Sequence, residues 1–332
     1  MTKQILIPTS NTFPIWLMRQ SGRYLPEYRN IREKYSFMQI LQNPELIAHL
    51  TTLPLKYLNI DALIVFSDIS VSFSLFENVE YTIEDNKGPV AKITDIQKIY
   101  LKTESDILHK LRLAIQNIKS QHKITLIGFS GGLYTSFYYL LKNSQYTKTL
   151  IYYHEDLILL ILEAIYITLK TQIEAGVDII QIFDTYLFEL SPIDIEFIFL
   201  PMYKILLSRL KKNYPEIPII FFALNTINIL QYIKEFKIDC ISVDWKKNLG
   251  TYFEHFRGYV QGNLDPVVLT IQDKDTFLKV LNLWLMSIHR DIEKEKNRQR
   301  YIFNLGHGIL PNTKVENVQI LIEKLRNLER SD

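Results

Sequence analysis

Apolar runs rich in β-branched and aromatic residues recur along the chain, at positions 15–18, 62–66, 124–129, 178–183, 217–222, 240–243, 258–260 and 301–305. Most are separated by longer segments with apolar residues at helical spacing: 45–58, 106–118, 154–174, 192–210, 227–236 and 273–289. Strand followed by helix, repeated, predicts a parallel sheet covered by helices. The runs are almost continuously apolar, as strands buried on both faces require. About eight such units in a chain of this length fit an α/β fold of the (β/α)8 TIM type, as a single domain over residues 1–332 with flexible ends at 1–12 and 328–332. An open doubly wound sheet is the alternative. It is weakened by the lack of a Gly-x-Gly-x-x-Gly turn and of a phosphate-binding loop.

Each apolar run is followed by a polar residue: Arg19, Asp68, Ser130, Asp184, Asn225, Asp244, Asn263 and His307 in turn. Loops are polar in general, which explains any one of them. Together, with three acids, an arginine and a histidine, they suggest a site at the C-terminal mouth of a barrel.

Composition narrows the function classes. The chain has 38 basic and 36 acidic residues, a net +2, which gives no support for nucleic-acid or anionic-membrane binding. The longest apolar stretch, from residue 157 to 169, is interrupted by Glu163 and falls short of the ~18 residues of a membrane span. Cys240 is the only cysteine, so no internal disulfide forms and a reducing cytoplasm is expected. The first ten residues lack the features of a targeting peptide. No His-x-x-x-His pattern occurs and there is one thiol, so a metal is not expected.

Against that neutral background, MRQSGRYLPEYRNIR (18–32) concentrates Arg19, Arg23, Arg29 and Arg32. Arg19 and Arg23 share a face if the segment is helical. One reading is a solvated basic helix start. The other is a grip on carboxylates or phosphates, for which the guanidinium fork is suited. Arg29 is expected to pair with an acid such as Glu33. Asp68, in FSDIS, either caps a helix or faces the arginines; in the second case it is expected to be ionised with a lowered pKa. GFSGGLYTSFYY (128–139) is either a ligand-approaching glycine loop or a tight strand-to-helix turn. His307, between Gly306 and Gly308, is expected to be uncovered and suited to proton transfer.

PIWLMRQSGRYLPEYR (14–29) resembles the N-terminal signature of the uroporphyrinogen decarboxylase family, with Ser21 where alanine is usual. FSDI (66–69), Val243-Asp244-Trp245, QGNLDP (261–266) and IFNLGHGILP (302–311) resemble further blocks of that family in the same order, so the likeness runs from residue 14 to 318. It implies a (β/α)8 barrel, a homodimer with facing clefts, and loss of CO2 from the four acetate side chains of uroporphyrinogen to give coproporphyrinogen. It implies no metal and no organic cofactor. Arg19, Arg23, Asp68, Tyr139, Thr185 and His307 fall on the family's binding and catalytic positions, with Asp68, Arg19, His307 and Tyr139 as the catalytic group. Arg32 falls on another cation near the cleft. The chain departs from the family at Leu133, where proline is usual, at Thr185, where serine is common, at Leu187-Phe188 in place of Ala-Gly, and at Ala223-Leu224-Asn225 in place of a Lys-Gly pair. Two other readings stand beside this one: a non-catalytic tetrapyrrole-binding homologue, and a corrinoid-linked methyltransferase of the same superfamily, which would need zinc ligands.

Overall fold

The computed structural model describes residues 12–84, 88–142 and 148–330. The central feature is a parallel sheet of seven strands: β1 (Ala62–Ile64), β6 (Thr125–Gly131), β7 (Ile179–Phe183), β8 (Ile219–Phe222), β9 (Cys240–Ser242), β10 (Tyr259–Leu264) and β11 (Tyr301–Leu305). The remaining strands, β2 (Phe76–Glu77), β3 (Val79–Glu84), β4 (Gly88–Ile93) and β5 (Tyr100–Leu101), form two small antiparallel pairs, β2 with β5 and β3 with β4. In the central sheet every neighbour is the next strand along the chain, and the order never reverses. A doubly wound sheet requires a reversal, so that alternative is set aside.

The sheet curls. Trp16, Met18, Ala62, Ile127, Ile179, Ile220, Cys240 and Ile302 meet in one buried cluster, so side chains from the first and last strands share an inner core. A larger cluster fills the space between the sheet and the outer helices. Several polar groups inside the curl pair with one another: Trp16 Nε1 donates to Gln261 Oε1 at 2.9 Å, and Gln261 Nε2 donates to Ser242 Oγ at 2.9 Å. Residues 14–16 lie between the two ends of the sheet. Phe303 N donates to Pro14 O, Trp16 N to Phe303 O, and Asp61 N to Ile15 O.

The run at 15–18 was expected to be a strand. Only Ile15 makes a ladder bridge, to Phe303. The next backbone donors are taken by side chains instead: Leu17 N by Gln20 Oε1 at 3.2 Å and Met18 N by Asn304 Oδ1 at 2.9 Å. The expected helix at 45–58 ends at Thr52 and continues as a 3-10 turn, Leu53–Lys56, because Pro54 has no N–H to extend it. The expected helix at 192–210 is broken by a π turn, Ile195–Phe199, before the helix Leu200–Asn213, whose second residue is Pro201. The helix Glu155–Ala175 ends at Gly176, whose φ of +113° satisfies a left-handed cap. The helix Val315–Arg330 runs through residues 328–330, which were expected to be flexible; residues 1–11 and 331–332 lie outside the described residues. The hairpin β3–β4 was not foreseen.

Candidate active site

A cavity of about 500 Å³ opens at the C-terminal ends of the strands. Phe129, Phe183 and Phe222, at or near the ends of β6, β7 and β8, give it an aromatic floor with Ile64 and Met18. Arg19, Arg23, Asp68, Tyr139, Thr185 and His307 all line it. Arg32 does not: it donates to Tyr35 O at 2.7 Å and lies 5.6 Å from the centre of the Phe37 ring, and Phe37 is itself part of the wall. Arg29 donates to the Arg23 and Tyr24 carbonyls, not to Glu33, so it stiffens the turn that carries Arg23.

Arg19 occupies a left-handed backbone conformation, φ +60°, at a turn closed by Gln20 N donating to Leu17 O. A side chain at positive φ costs on the order of 1 kcal/mol and persists only where its surroundings over-determine it. They do so here. Gln20 Nε2 donates to Ala62 O, Ile309 N donates to Met18 O, and Asn304 holds Met18 N. Gly308 makes room as well, since a Cβ there would lie 2.5 Å from Arg19 Cδ. The glycines around His307 are closely packed, Gly308 against Arg19 and Gly306 against Trp245, while the imidazole between them is half-buried and lines the cavity. His307 packs edge-on to Phe222 at 5.9 Å. Burial, helped by the Arg19 charge, pulls its pKa down to about 4, so it is neutral near pH 7.

Asp68 reverses an expectation. Burial holds its carboxyl above the ordinary range, because desolvation outweighs the hydrogen bonds from Ser70 and the attraction of Arg19. A neighbouring arginine alone would have lowered it. Tyr139, on the helix Leu133–Leu141, stands 3.5 Å from Tyr186 OH, and burial raises its pKa well above that of a free phenol.

Of the eight polar residues that follow the apolar runs, Arg19, Asp68 and His307 line the cavity; Ser130, Asp184, Asn225, Asp244 and Asn263 do not. The expectation that all eight contribute is corrected, and the reason is backbone pairing. Buried Asp184 accepts from Thr135 N at 2.6 Å, from Tyr134 N at 3.2 Å and from Tyr203 OH, which fastens the start of the helix Leu133–Leu141 to β7. Asp244 accepts from Asn225 N at 2.5 Å and Lys246 N at 3.1 Å. The glycines of 128–139 are likewise structural. A Cβ on Gly132 would lie 2.4 Å from Asp184 Cβ, and one on Gly131 would lie 2.8 Å from Ile69 O.

Of the sequence departures, Ser21 and Thr185 line the cavity, whereas Leu133, Leu187, Phe188, Ala223, Leu224 and Asn225 do not. Leu133 uses the N–H that a proline would lack, donating to Tyr203 OH at 2.8 Å. Asn225 takes φ +49°, which asparagine tolerates better than most residues.

The family model for uroporphyrinogen decarboxylase (URO-D) matches residues 8–328. The chain belongs to the uroporphyrinogen decarboxylase family. Uroporphyrinogen decarboxylases of Picrophilus torridus and Carboxydothermus hydrogenoformans are 34% and 36% identical to it. The first match covers 97% of this chain and 96% of the relative, the second 95% and 92%. That of Aquifex aeolicus is 32% identical over 95% of this chain and 94% of its own. Among solved structures, a methyltransferase from Methanosarcina mazei superposes with a TM-score of 0.73 at 16% identity, covering 95% of this chain and 94% of that one. A putative vitamin-B12 independent methionine synthase from Listeria monocytogenes gives 0.62 at 12%, covering 99% and 98%. These last two likenesses are of fold. Against other members of the uroporphyrinogen decarboxylase family, then, the cavity is the feature to interpret. Sequence reasoning missed its β3–β4 wall, and missed Ser70, which does not line the cavity but donates to Asp68 from behind. The wall had a signal: Val79, Tyr81 and Ile83 alternate with Glu80, Thr82 and Glu84, a strand period of two.

Proposed function

We propose that the chain is a uroporphyrinogen decarboxylase, a carboxy-lyase that converts the four acetate side chains of uroporphyrinogen to methyl groups, giving coproporphyrinogen. The observation that carries this reading is the pairing, in one aromatic-floored cavity, of two arginines with a half-buried carboxylate. The substrate has the complementary pattern, carboxylates at its rim and pyrrole N–H groups at its centre. In this reading Arg19 and Arg23 hold rim carboxylates, Thr185 offers a hydroxyl beside them, and Asp68 accepts pyrrole N–H groups. Arg32 acts from behind the wall by supporting Phe37.

For each acetate, a pyrrole carbon takes a proton and the ring becomes a cation. The bond between the methylene and the carboxylate then breaks, its electron pair neutralises the ring, and CO2 leaves. A proton caps the methylene as methyl, and the ring carbon gives up the first proton. The net change is one proton consumed and one CO2 released. Asp68 stabilises the intermediate cation by a charge already in place. Arg19 fixes the reacting carboxylate, since a guanidinium releases its proton too reluctantly to be the acid. His307 and Tyr139, both neutral, pass protons from water by hydrogen bonding.

Two further parts of the reading concern architecture. Residues 14–18 act as the eighth strand of a closed single-domain barrel, supported by their bonds to both ends of the sheet. The working form is a homodimer. Exposed Tyr152, Ile193 and Phe197, with Tyr152 OH bonded to Asp194, offer an apolar face of the kind subunit contacts use. A cytoplasmic setting rests on the single cysteine. The non-catalytic and methyltransferase alternatives are not favoured. The second lacks support for its metal, because Cys240 is buried in the inner core and burial raises its thiol pKa.

Anaerobic incubation with uroporphyrinogen is expected to give hepta-, hexa-, penta- and finally tetracarboxylate products on chromatographic separation. An unchanged substrate would end the enzymatic reading. The pH profile gives a second test. A histidine with a pKa of about 4 does not change charge between about pH 6 and 8, and kcat/KM reports the free enzyme. His307→Gln is therefore expected to lower kcat/KM by the same factor across that range. A limb near 6.5 in the parent, absent in the variant, would show that His307 titrates during the reaction.

A further inference from the structure

A short line of hydrogen bonds runs from the β3–β4 wall of the cavity to one oxygen of Asp68. Ser70 N donates to Asp68 Oδ1 at 2.9 Å, and Ser70 Oγ donates to the same oxygen at 2.5 Å. Tyr81 OH, on β3, lies 3.0 Å from Ser70 Oγ. A serine hydroxyl has a single proton, and here it is given to Asp68. The remaining contact therefore runs from Tyr81 O–H to Ser70 Oγ, and all three donors point toward the carboxylate. Tyr81 is itself fixed, paired with Ala91 in the hairpin and set edge-on to the Phe73 ring at 5.7 Å. Ile83, Glu84 and Pro89 of the same hairpin line the cavity.

We propose that Ser70 and Tyr81 are positioning residues for Asp68, holding its Oδ1 so that Oδ2 is the one oxygen left to receive the pyrrole N–H groups. This rests on the reading of the cavity as a uroporphyrinogen site. Ser70 is 1% exposed, so its effect on a substrate passes through Asp68. Among the described residues no donor engages Oδ2, whereas Oδ1 has two. A carboxylate anchored through one oxygen loses rotational freedom, and a preorganised charge needs no rearrangement when the ring cation forms. Donors aligned in one direction also strengthen one another. They favour the ionised carboxylate, opposing the burial that disfavours it. The other groups that act on Asp68 are Arg19, Tyr81 and Tyr139. Both phenols have raised pKa values and remain neutral through the range tested.

The test is steady-state turnover of uroporphyrinogen by the full chain from about pH 5 to 8, with Ser70→Ala and Tyr81→Phe beside the parent and thermal melting as the check on folding. Losing one charge-assisted bond is expected to lower kcat of Ser70→Ala about tenfold, with KM within about twofold. Its acid limb should move toward neutral pH, because a donor that favoured the charged form is gone. Tyr81→Phe is expected to shift both quantities in the same direction by less. A folded Ser70→Ala with parental kcat and acid limb overturns the proposal, as does one in which KM alone rises, the mark of altered cavity shape. If Ser70→Ala does not fold, Tyr81→Phe decides by the same criteria. A parent that forms no product overturns the functional reading and this proposal with it. A parent that turns over beside variants that match it overturns the proposal alone.

Discussion

Asp68→Asn is expected to lower kcat by roughly 10²–10³, or about 2.7–4 kcal/mol in the barrier, while the fold stays intact. The amide keeps an acceptor for Ser70 N and Oγ, so the local turn survives. What it loses is the negative charge under the ring cation. The stability outcome has a definite sign. Burial raises the folded-state pKa of Asp68 above its unfolded value, so the folded chain binds more protons between the two values. The associated stability is present below the unfolded pKa and is lost as pH rises through the folded one. Wherever the group is ionised it therefore opposes folding, and a neutral asparagine removes that opposition. The variant should melt at or above the parent temperature while turnover collapses. Calorimetry alongside product chromatography measures both. Parental turnover would remove Asp68 from the charge-stabilising role, and a lower melting temperature would show that the burial argument is wrong.

How far this could be read from the chain depends on the range of each interaction. The alternation of runs yields the parallel sheet, because the strand period and the helix period are local. The hydrogen bond from Ser70 to Asp68 spans two residues and belongs to a local turn, so it is legible in principle. Asp184 is another matter. Its partners lie in the backbone at 134 and 135 and on the ring of Tyr203, and nothing near residue 184 in the sequence points to them. Asp68, Asp184 and Asp244 each follow an apolar run; only the folded chain separates the one beside the cavity from the two that anchor loops. Arg19 is similar. The arginine cluster stands out in the sequence, but its positive φ and the room left by Gly308 come from residues almost three hundred positions away. The sign of the Asp68 shift was misjudged because sequence shows a neighbouring charge more readily than it shows burial.

Asp184→Ala is expected to cause the largest loss of stability, about 3–5 kcal/mol, because a buried hydrogen-bond network is broken and its donors are left unsatisfied. Three donors converge on this carboxylate, Tyr134 N, Thr135 N and Tyr203 OH. Each one left unsatisfied in the interior costs about 1–3 kcal/mol, partly recovered if water enters the gap. The loss has a direction within the fold. The freed backbone groups begin the helix Leu133–Leu141, and that helix carries Tyr139 to the cavity. The variant should therefore lose midpoint denaturant concentration first, and what remains folded should turn over more slowly because Tyr139 is less firmly held. Tyr203→Phe, which removes one donor to Asp184 and orphans the buried Leu133 N–H but leaves the two backbone bonds to Asp184, should cost less, about 2 kcal/mol. Urea unfolding of the two variants against the parent makes the comparison. Equal stability of Asp184→Ala and parent would contradict the anchoring role. A turnover collapse without any loss of stability would move Asp184 from the scaffold into the reaction, beside Asp68. The opposite signatures of the two aspartates, activity without stability for Asp68 and stability first for Asp184, separate roles that the sequence writes identically.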